Sequence, residues 1–239
     1  MDTIKINKES AKLIAHRGLS GIEQENTNAA FIAAGNRSYF GIETDVHITS
    51  DGKFVVIHDD TPKRVSGVDF VVEENPLRAI ENISIYDKAE GVFRSDLRPP
   101  LLHEYINICK KYEKTSVLEL KRLMPVDGVK NIYEEVKSLG YLENTIFISF
   151  AWGNLEVLKK IDASVSVQFL TNEWNDELID KLKEYNMDLD IHYSAVNDEL
   201  IGKLHKNGLK LNAWTVDKKE TAEKLASMGI DYITSNILE

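Results

Sequence analysis

Short apolar, β-branched runs alternate with amphipathic stretches along most of the chain. The runs predict strands at 13–16, 41–46, 117–121, 146–150, 164–170, 188–192, 211–216 and 231–234. Apolar positions recurring every three to four residues predict helices at 27–36, 102–112, 129–139, 154–160, 177–185, 198–206 and 218–228. Asp217 is placed to open the last helix, and Gly140, Gly208 and Gly229 to close others. Strands separated by helices pair in parallel, and eight is the number that closes a ring. The expected fold class is therefore α/β, a TIM (β/α)8 barrel. No repeat stands out at the residue level.

One segment breaks the alternation. After the second strand, HITSDGKFVVIHDDT offers another β-rich run at 54–58. The link is too short for a parallel crossover, which needs about a dozen residues. Ser50-Asp51-Gly52 suits a local hairpin instead. We therefore expect one barrel domain over 1–239 with a cap insertion at about 47–100, ended by Pro99-Pro100. Lying after the second strand, the insertion belongs at the catalytic end of a barrel.

Composition narrows the partners. A net charge of −10 over 239 residues argues against nucleic acid, whose affinity comes from Lys and Arg neutralising phosphates. An anionic substrate would be repelled at long range unless a metal or basic groups reverse the local field. The lone Cys109 excludes an intrachain disulfide and, in its apolar-periodic stretch, reads as a core thiol. MDTIKINKES has no apolar core of a signal peptide, and no run approaches a membrane span, so a cytoplasmic location without stable membrane insertion is expected. Nothing in the sequence reads out an oligomeric state.

Chemistry-bearing residues gather at the predicted strand ends. His16-Arg17-Gly18 follows the first strand: His16 is a candidate acid–base group, Arg17 suits a phosphate fork, and Gly18 permits a sharp turn. On the second strand, Glu43 and Asp45 are two apart and share a face. Buried, they call for a cation between them; a solvated outward pair is the bland alternative. Glu119 and Lys121 repeat the spacing on the third strand, as a further carboxylate and a cation or simply as an ion pair. Three hard oxygen ligands favour one divalent ion, Mg²⁺ or Ca²⁺. In the insertion, His58 is either a second imidazole at the same mouth or a surface residue. His47, His103, His192 and His205 receive no role, with His192, at a strand end, the strongest challenge to that assignment.

The ordered motifs resemble the glycerophosphodiester phosphodiesterase family. The match runs through His16-Arg17-Gly18, Glu25-Asn26-Thr27, Glu43-x-Asp45, Thr49-x-Asp51-Gly52, His58-Asp59 and Glu119-x-Lys121. It continues through Ser149-Phe150, Trp214-Thr215-Val216 and Gly229-Ile230-Asp231-Tyr232-Ile233-Thr234, nearly the whole chain. The resemblance implies hydrolysis of small glycerophosphodiesters to glycerol 3-phosphate and an alcohol, through a cyclic phosphate. It implies a metal on Glu43, Asp45 and Glu119, acid–base work by His16 and His58, and phosphate contacts from Arg17 and Lys121. Phe150 and Trp214, at strand ends, are expected to line the substrate, with core packing an equally good explanation for Phe150. Two departures stand out: Gln24 where the family commonly has Pro, and Ser235 where it often has Asp.

Two rival readings remain at this level. One is a phosphodiesterase of the same fold directed at lysophospholipids or phosphoinositides. The insertion's Phe70-Val71-Val72 and Val92-Phe93 bear on it, although packing of the insertion onto the barrel rim is the expectation for them. The other is a non-catalytic binding barrel, against which the intact carboxylates and histidines count.

Overall fold

The computed structural model describes residues 2–88 and 91–239. Its strands are β1 (Lys12–Ala15), β2 (Gly41–Ile48), β3 (Phe54–Val56), β4 (Ile85–Tyr86), β5 (Phe93–Arg94), β6 (Thr115–Leu120), β7 (Thr145–Ser149), β8 (Ser166–Thr171), β9 (Asp188–His192), β10 (Leu211–Trp214) and β11 (Tyr232–Ser235). Parallel pairing runs β1-β11-β10-β9-β8-β7-β6-β2, and the pairing of β1 with β2 closes the ring. This is the eight-stranded barrel that the alternation predicts.

Alternation along each strand sorts side chains into two layers. Outward residues such as Leu13, Ile42, Val46, Leu118, Phe147, Leu189 and Ala213 join the helices in the main core. Inward residues Ile14, Val117, Ile146, Ile148, Leu170 and Tyr232 form a smaller core inside the ring. Above it the interior turns polar, because the strands carry buried Glu43, Asp45, Glu119 and Thr234 there.

The helices between barrel strands are α1 (Asn28–Gly35), α4 (Leu102–Lys111), α5 (Val126–Ser138), α6 (Trp152–Ile161), α7 (Asp176–Tyr185), α8 (Asp198–Lys206) and α9 (Lys219–Ser227); the insertion carries the single turns α2 (Lys63–Ser66) and α3 (Leu77–Ile80). Thr27, Asn175 and Asn197 cap α1, α7 and α8 by accepting backbone N–H groups through their side chains. Gly140, Gly208 and Gly229 adopt the left-handed conformation beyond their helices, as expected. Asp217 differs from expectation. It does not cap α9, whose preceding Lys218 makes no side-chain cap, and its carboxylate turns to Ser235 and Asn236. Those three donors (Ser235 Oγ, Asn236 N and Asn236 Nδ2) outcompete a helix end that water can reach.

β3 runs antiparallel to β2, with Val46 opposite Val56 and Ile48 opposite Phe54, so the short link is the hairpin that Ser50-Asp51-Gly52 suggests. The strand ends at Val56, which frees His58 to point at the barrel mouth. The insertion has its own apolar cluster, built on Val55, Ile57, Val65, Val72, Ile80, Ile83, Ile85 and Leu97, with Phe70 against it. Val92 and Phe93 do not pack on the barrel rim: both are exposed, and Phe93 stacks on Tyr86. No helix among the described residues is long and apolar enough to cross a membrane.

The buried Tyr105 of α4 stitches β2 to β6. Its hydroxyl donates to Ile42 O at 2.6 Å and accepts Val117 N–H at 3.1 Å, beside the strand positions of the acidic residues. Tyr105→Phe would remove both of these hydrogen bonds and is expected to lower stability by about 0.5–1.5 kcal/mol, read from urea unfolding. An unchanged midpoint would show that the hydroxyl is dispensable.

Candidate active site

The chain leaves β1 through His16, Arg17 and Gly18 and folds back over the mouth. Gly18 has φ +75°, and a Cβ there would lie 2.7 Å from the Ala30 backbone, so only glycine lets this turn rest on α1. Arg17 and Asn26 also take positive φ (54° and 52°), a cost accepted at few non-glycine positions. The tight turn aims the Arg17 N–H at Glu43 Oε2, 2.8 Å away.

Asp45 on β2 stands directly beside Glu119 on β6, with Glu43 two residues earlier on the same face. One oxygen from each of the three lies within 4.8 Å of the others, at exposures of 3%, 1% and 8% for Glu43, Asp45 and Glu119. The outward, solvated arrangement is thereby excluded. Lys121 Nζ meets Glu119 Oε1 at 2.7 Å and Asp45 Oδ1 at 3.3 Å, and Arg17 Nε lies 3.6 Å from Asp45 Oδ2. The Glu119–Lys121 ion pair and the acidic cluster thus coexist. Asn26 donates to Asp45 Oδ2 at 2.8 Å and accepts from Thr44 Oγ1, fixing the carboxylate plane.

The electrostatics show strain. Burial, then repulsion from Asp45, pushes Glu119 up to about 7, and burial with both neighbouring carboxylates raises Glu43 well above the usual range. Burial works to raise Asp45 as well, but Lys121 and Arg17 overcome it and hold that group ionised. Three carboxylates face two cations, and Asp45 Oδ1 is buried without a hydrogen bond among the described residues. The donor set fits a hard divalent cation.

His16 and His58 line one pocket with Arg17, Glu43, Glu119 and Lys121, while Asp45 sits just behind its wall. His16 Nδ1 lies 2.8 Å from Asn236 Oδ1, and its Nε2 lies 4.0 Å from Glu43 Oε2. Burial, then Arg17, lowers its pKa to about 4. His58 Nδ1 lies 2.7 Å from Asp59 Oδ1; burial lowers His58 too, with Asp45 opposing. A charge-alternating chain braces the two loops: Arg64 grips both Asp59 and Glu25, and Glu25 accepts from Arg17 at 2.8 Å. Burial pushes Glu25 up, but hydrogen bonds from these arginines hold it at about 2.

Phe150 and Trp214 face the same pocket. Phe150 is 47% exposed and meets Trp214 edge-on at 5.6 Å, which rules out core packing as its role. His192 also meets Trp214 edge-on, at 5.4 Å, and lies outside the cluster. Asp190, 2% exposed, lies at the floor of the pocket, and burial raises its pKa well above normal.

All nine candidate residues therefore converge. Glu25, Asn26, Asp59, Arg64, Asp190 and Asn236 carry no expected role from the sequence, and Asp217 only that of opening a helix. Glu25, Asn26 and Asp59 lay inside recognisable motifs and were within reach. Arg64, Asp190, Asp217 and Asn236 had no spacing signal, since each meets the site only through the closed barrel or the folded insertion.

Fold and site together define an α/β-barrel enzyme with a buried carboxylate cluster beside two histidines. The model of the glycerophosphoryl diester phosphodiesterase family matches residues 16–238. A glycerophosphodiester phosphodiesterase of Caldanaerobacter subterraneus subsp. tengcongensis is 31% identical over 94% of this chain and 93% of its own. Two solved structures share the fold at 24% identity and TM-score 0.81: an Oleispira antarctica phosphodiesterase in complex with the product sn-glycerol-3-phosphate, and a glycerophosphodiester phosphodiesterase from Parabacteroides distasonis. They align over 94% and 96% of this chain and 92% and 94% of their own, respectively. The chain belongs to the glycerophosphoryl diester phosphodiesterase family.

The raised carboxyls set a pH dependence of stability. Between the ordinary glutamate and histidine values, the raised carboxyls and the lowered histidines act in opposite directions. Above about 6.5, the ordinary histidine value, the raised Glu43, Glu119 and Asp190 still bind protons that the unfolded chain has released. Stability with a chelator present should therefore fall from pH 6.5 to 8, and excess Ca²⁺ or Mg²⁺ should lessen the fall by the share that Glu43 and Glu119 contribute. Thermal unfolding at both pH values checks this; a flat chelated profile would contradict it.

Proposed function

We propose that this protein hydrolyses glycerophosphodiesters to glycerol 3-phosphate and an alcohol, with Mg²⁺ or Ca²⁺ on Glu43, Asp45 and Glu119 and with His16 and His58 as the acid–base pair. The supporting observation is the meeting of three buried carboxylates, two imidazoles and two cationic side chains in one pocket. The name of the Caldanaerobacter relative and the product bound to the Oleispira protein point to the same substrate class.

A divalent cation in the cluster would neutralise charge developing on the phosphoryl oxygens and lower the pKa of a hydroxyl beside it. Arg17 and Lys121 present fixed positive charge to nonbridging oxygens. His16, neutral at pH 7, takes the proton of the attacking glycerol hydroxyl as it bonds to phosphorus. His58, backed by the Asp59 carboxylate, gives a proton to the departing alcohol oxygen, leaving a cyclic phosphate. In the second half the two exchange roles as water opens the ring. Phe150 and Trp214 form the apolar wall against the carbon side of the substrate.

One observation favours a second reading, a lysophospholipid substrate: Leu123 and Val126, in the loop after β6 and at the start of α5, are 72% and 63% exposed. They offer an apolar rim for an acyl chain. Assays of glycerophosphocholine against micellar lysophosphatidylcholine, each with Mg²⁺, Ca²⁺ and Mn²⁺, separate the two readings.

His16→Ala or Glu43→Gln should lower turnover of glycerophosphocholine at least about 100-fold, followed as glycerol 3-phosphate release. Near-native turnover by either folded variant would remove that residue from the mechanism. Inactivity of the native protein on every glycerophosphodiester and metal would favour a binding role instead.

A further inference from the structure

We infer that Asp217 and Asn236 are positioning residues that set the tautomer of His16, holding its proton on Nδ1 and leaving Nε2 free toward the pocket. The inference rests on the proposed acid–base role of His16 and goes beyond it by naming what fixes the ring.

The argument starts at Asp217. Its carboxylate is surrounded by donors: Ser235 Oγ at 3.0 Å and Asn236 N at 2.8 Å reach Oδ1, and Asn236 Nδ2 reaches Oδ2 at 2.6 Å. An ionised carboxylate only accepts, so the Asn236 amide must turn its NH₂ to Asp217. The other end of the amide is then oxygen, and it faces His16 Nδ1 at 2.8 Å. An oxygen there requires Nδ1 to donate, so a neutral His16 carries its proton on Nδ1. An amide is normally free to flip by half a turn, which would reverse the tautomer. Here the flip would set Asn236 Oδ1 against the Asp217 carboxylate.

Two further contacts close the arrangement. Ser20 Oγ lies 2.6 Å from Asn236 Oδ1 and 2.7 Å from His16 O, and its single hydrogen serves one of these two oxygens at a time. His16 N–H donates to Ser235 O at 2.9 Å, so the β1 and β11 ends share one frame. Among the described residues Nε2 has no hydrogen bond, the nearest carboxylate oxygen being Glu43 Oε2 at 4.0 Å. Nε2 is thus the lone pair that meets substrate. Ser235, where the resembling family often has Asp, is a donor to Asp217, so the carboxylate behind this histidine arrives from the loop after β10.

The swap of two side chains tests this. Asn236→Asp alone places two carboxylates in contact and should lower kcat about 10- to 100-fold with KM within about twofold. Adding Asp217→Asn restores one acceptor behind His16 and one donor behind that acceptor, and should return kcat to within about fivefold of the native value. The tautomer is read directly by ¹⁵N–¹H correlation of histidine-labelled protein, with the His16 signal assigned by its loss in His16→Ala. Native protein and the double variant should show Nδ1–H, whereas Asn236→Leu and Asp217→Ala should show Nε2–H or a mixture. A native Nε2–H form, an unchanged tautomer in both Asn236→Leu and Asp217→Ala, or a double variant no better than Asn236→Asp would overturn the inference. A fully active His16→Ala would instead remove the catalytic reading, with the tautomer result standing apart from it.

Discussion

Three carboxylates buried at one end of a closed parallel barrel outnumber the two cations that touch them. Most of the site answers that imbalance. Lys121 and Arg17 pull down all three carboxyls but overcome burial only at Asp45, so Glu43 and Glu119 are left raised. Such a cluster is stable as ionised groups only with more positive charge in it, and the chemistry proposed for the site uses the same charge on a phosphate. A chain of net charge −10 can hold an anionic substrate only through a local reversal of this kind.

The barrel alone does not complete the site. His58 comes from the insertion, and its position depends on the hairpin ending at Val56 and on the insertion's own apolar cluster. The link back to the barrel is electrostatic, running from Asp59 through Arg64 and Glu25 to Arg17. Because the charges alternate in sign and are hydrogen-bonded end to end, movement of the insertion would disturb Arg17 as well as His58. The two imidazoles are thus backed differently: an amide behind His16, a carboxylate behind His58. That asymmetry is in keeping with the proposed division of roles, one ring taking a proton and the other giving it.

The barrel class, the hairpin after β2 and the convergence of Glu43, Asp45 and Glu119 were legible in the sequence. Each follows from a local rule: alternation of element types, link length, or a two-residue spacing on one strand face. His16 and Arg17 were legible from their place just after a strand. What escaped was whatever depends on ring closure or on a side chain choosing among partners. Asp217 stands where a helix cap would, yet it serves Asn236, some twenty residues on, because β10 and β11 are neighbours in the barrel. Val92 and Phe93 have the composition of buried residues and stay in water.

By itself, then, the sequence determined which elements form and which faces of the strands carry acid, because backbone geometry repeats along the chain and needs no knowledge of distant residues. Tertiary structure decided which oxygen meets which nitrogen, how far each carboxyl is shifted, and which way the Asn236 amide is turned. Those quantities depend on burial and on distances between groups far apart in the chain, and they take values only once the ring has closed.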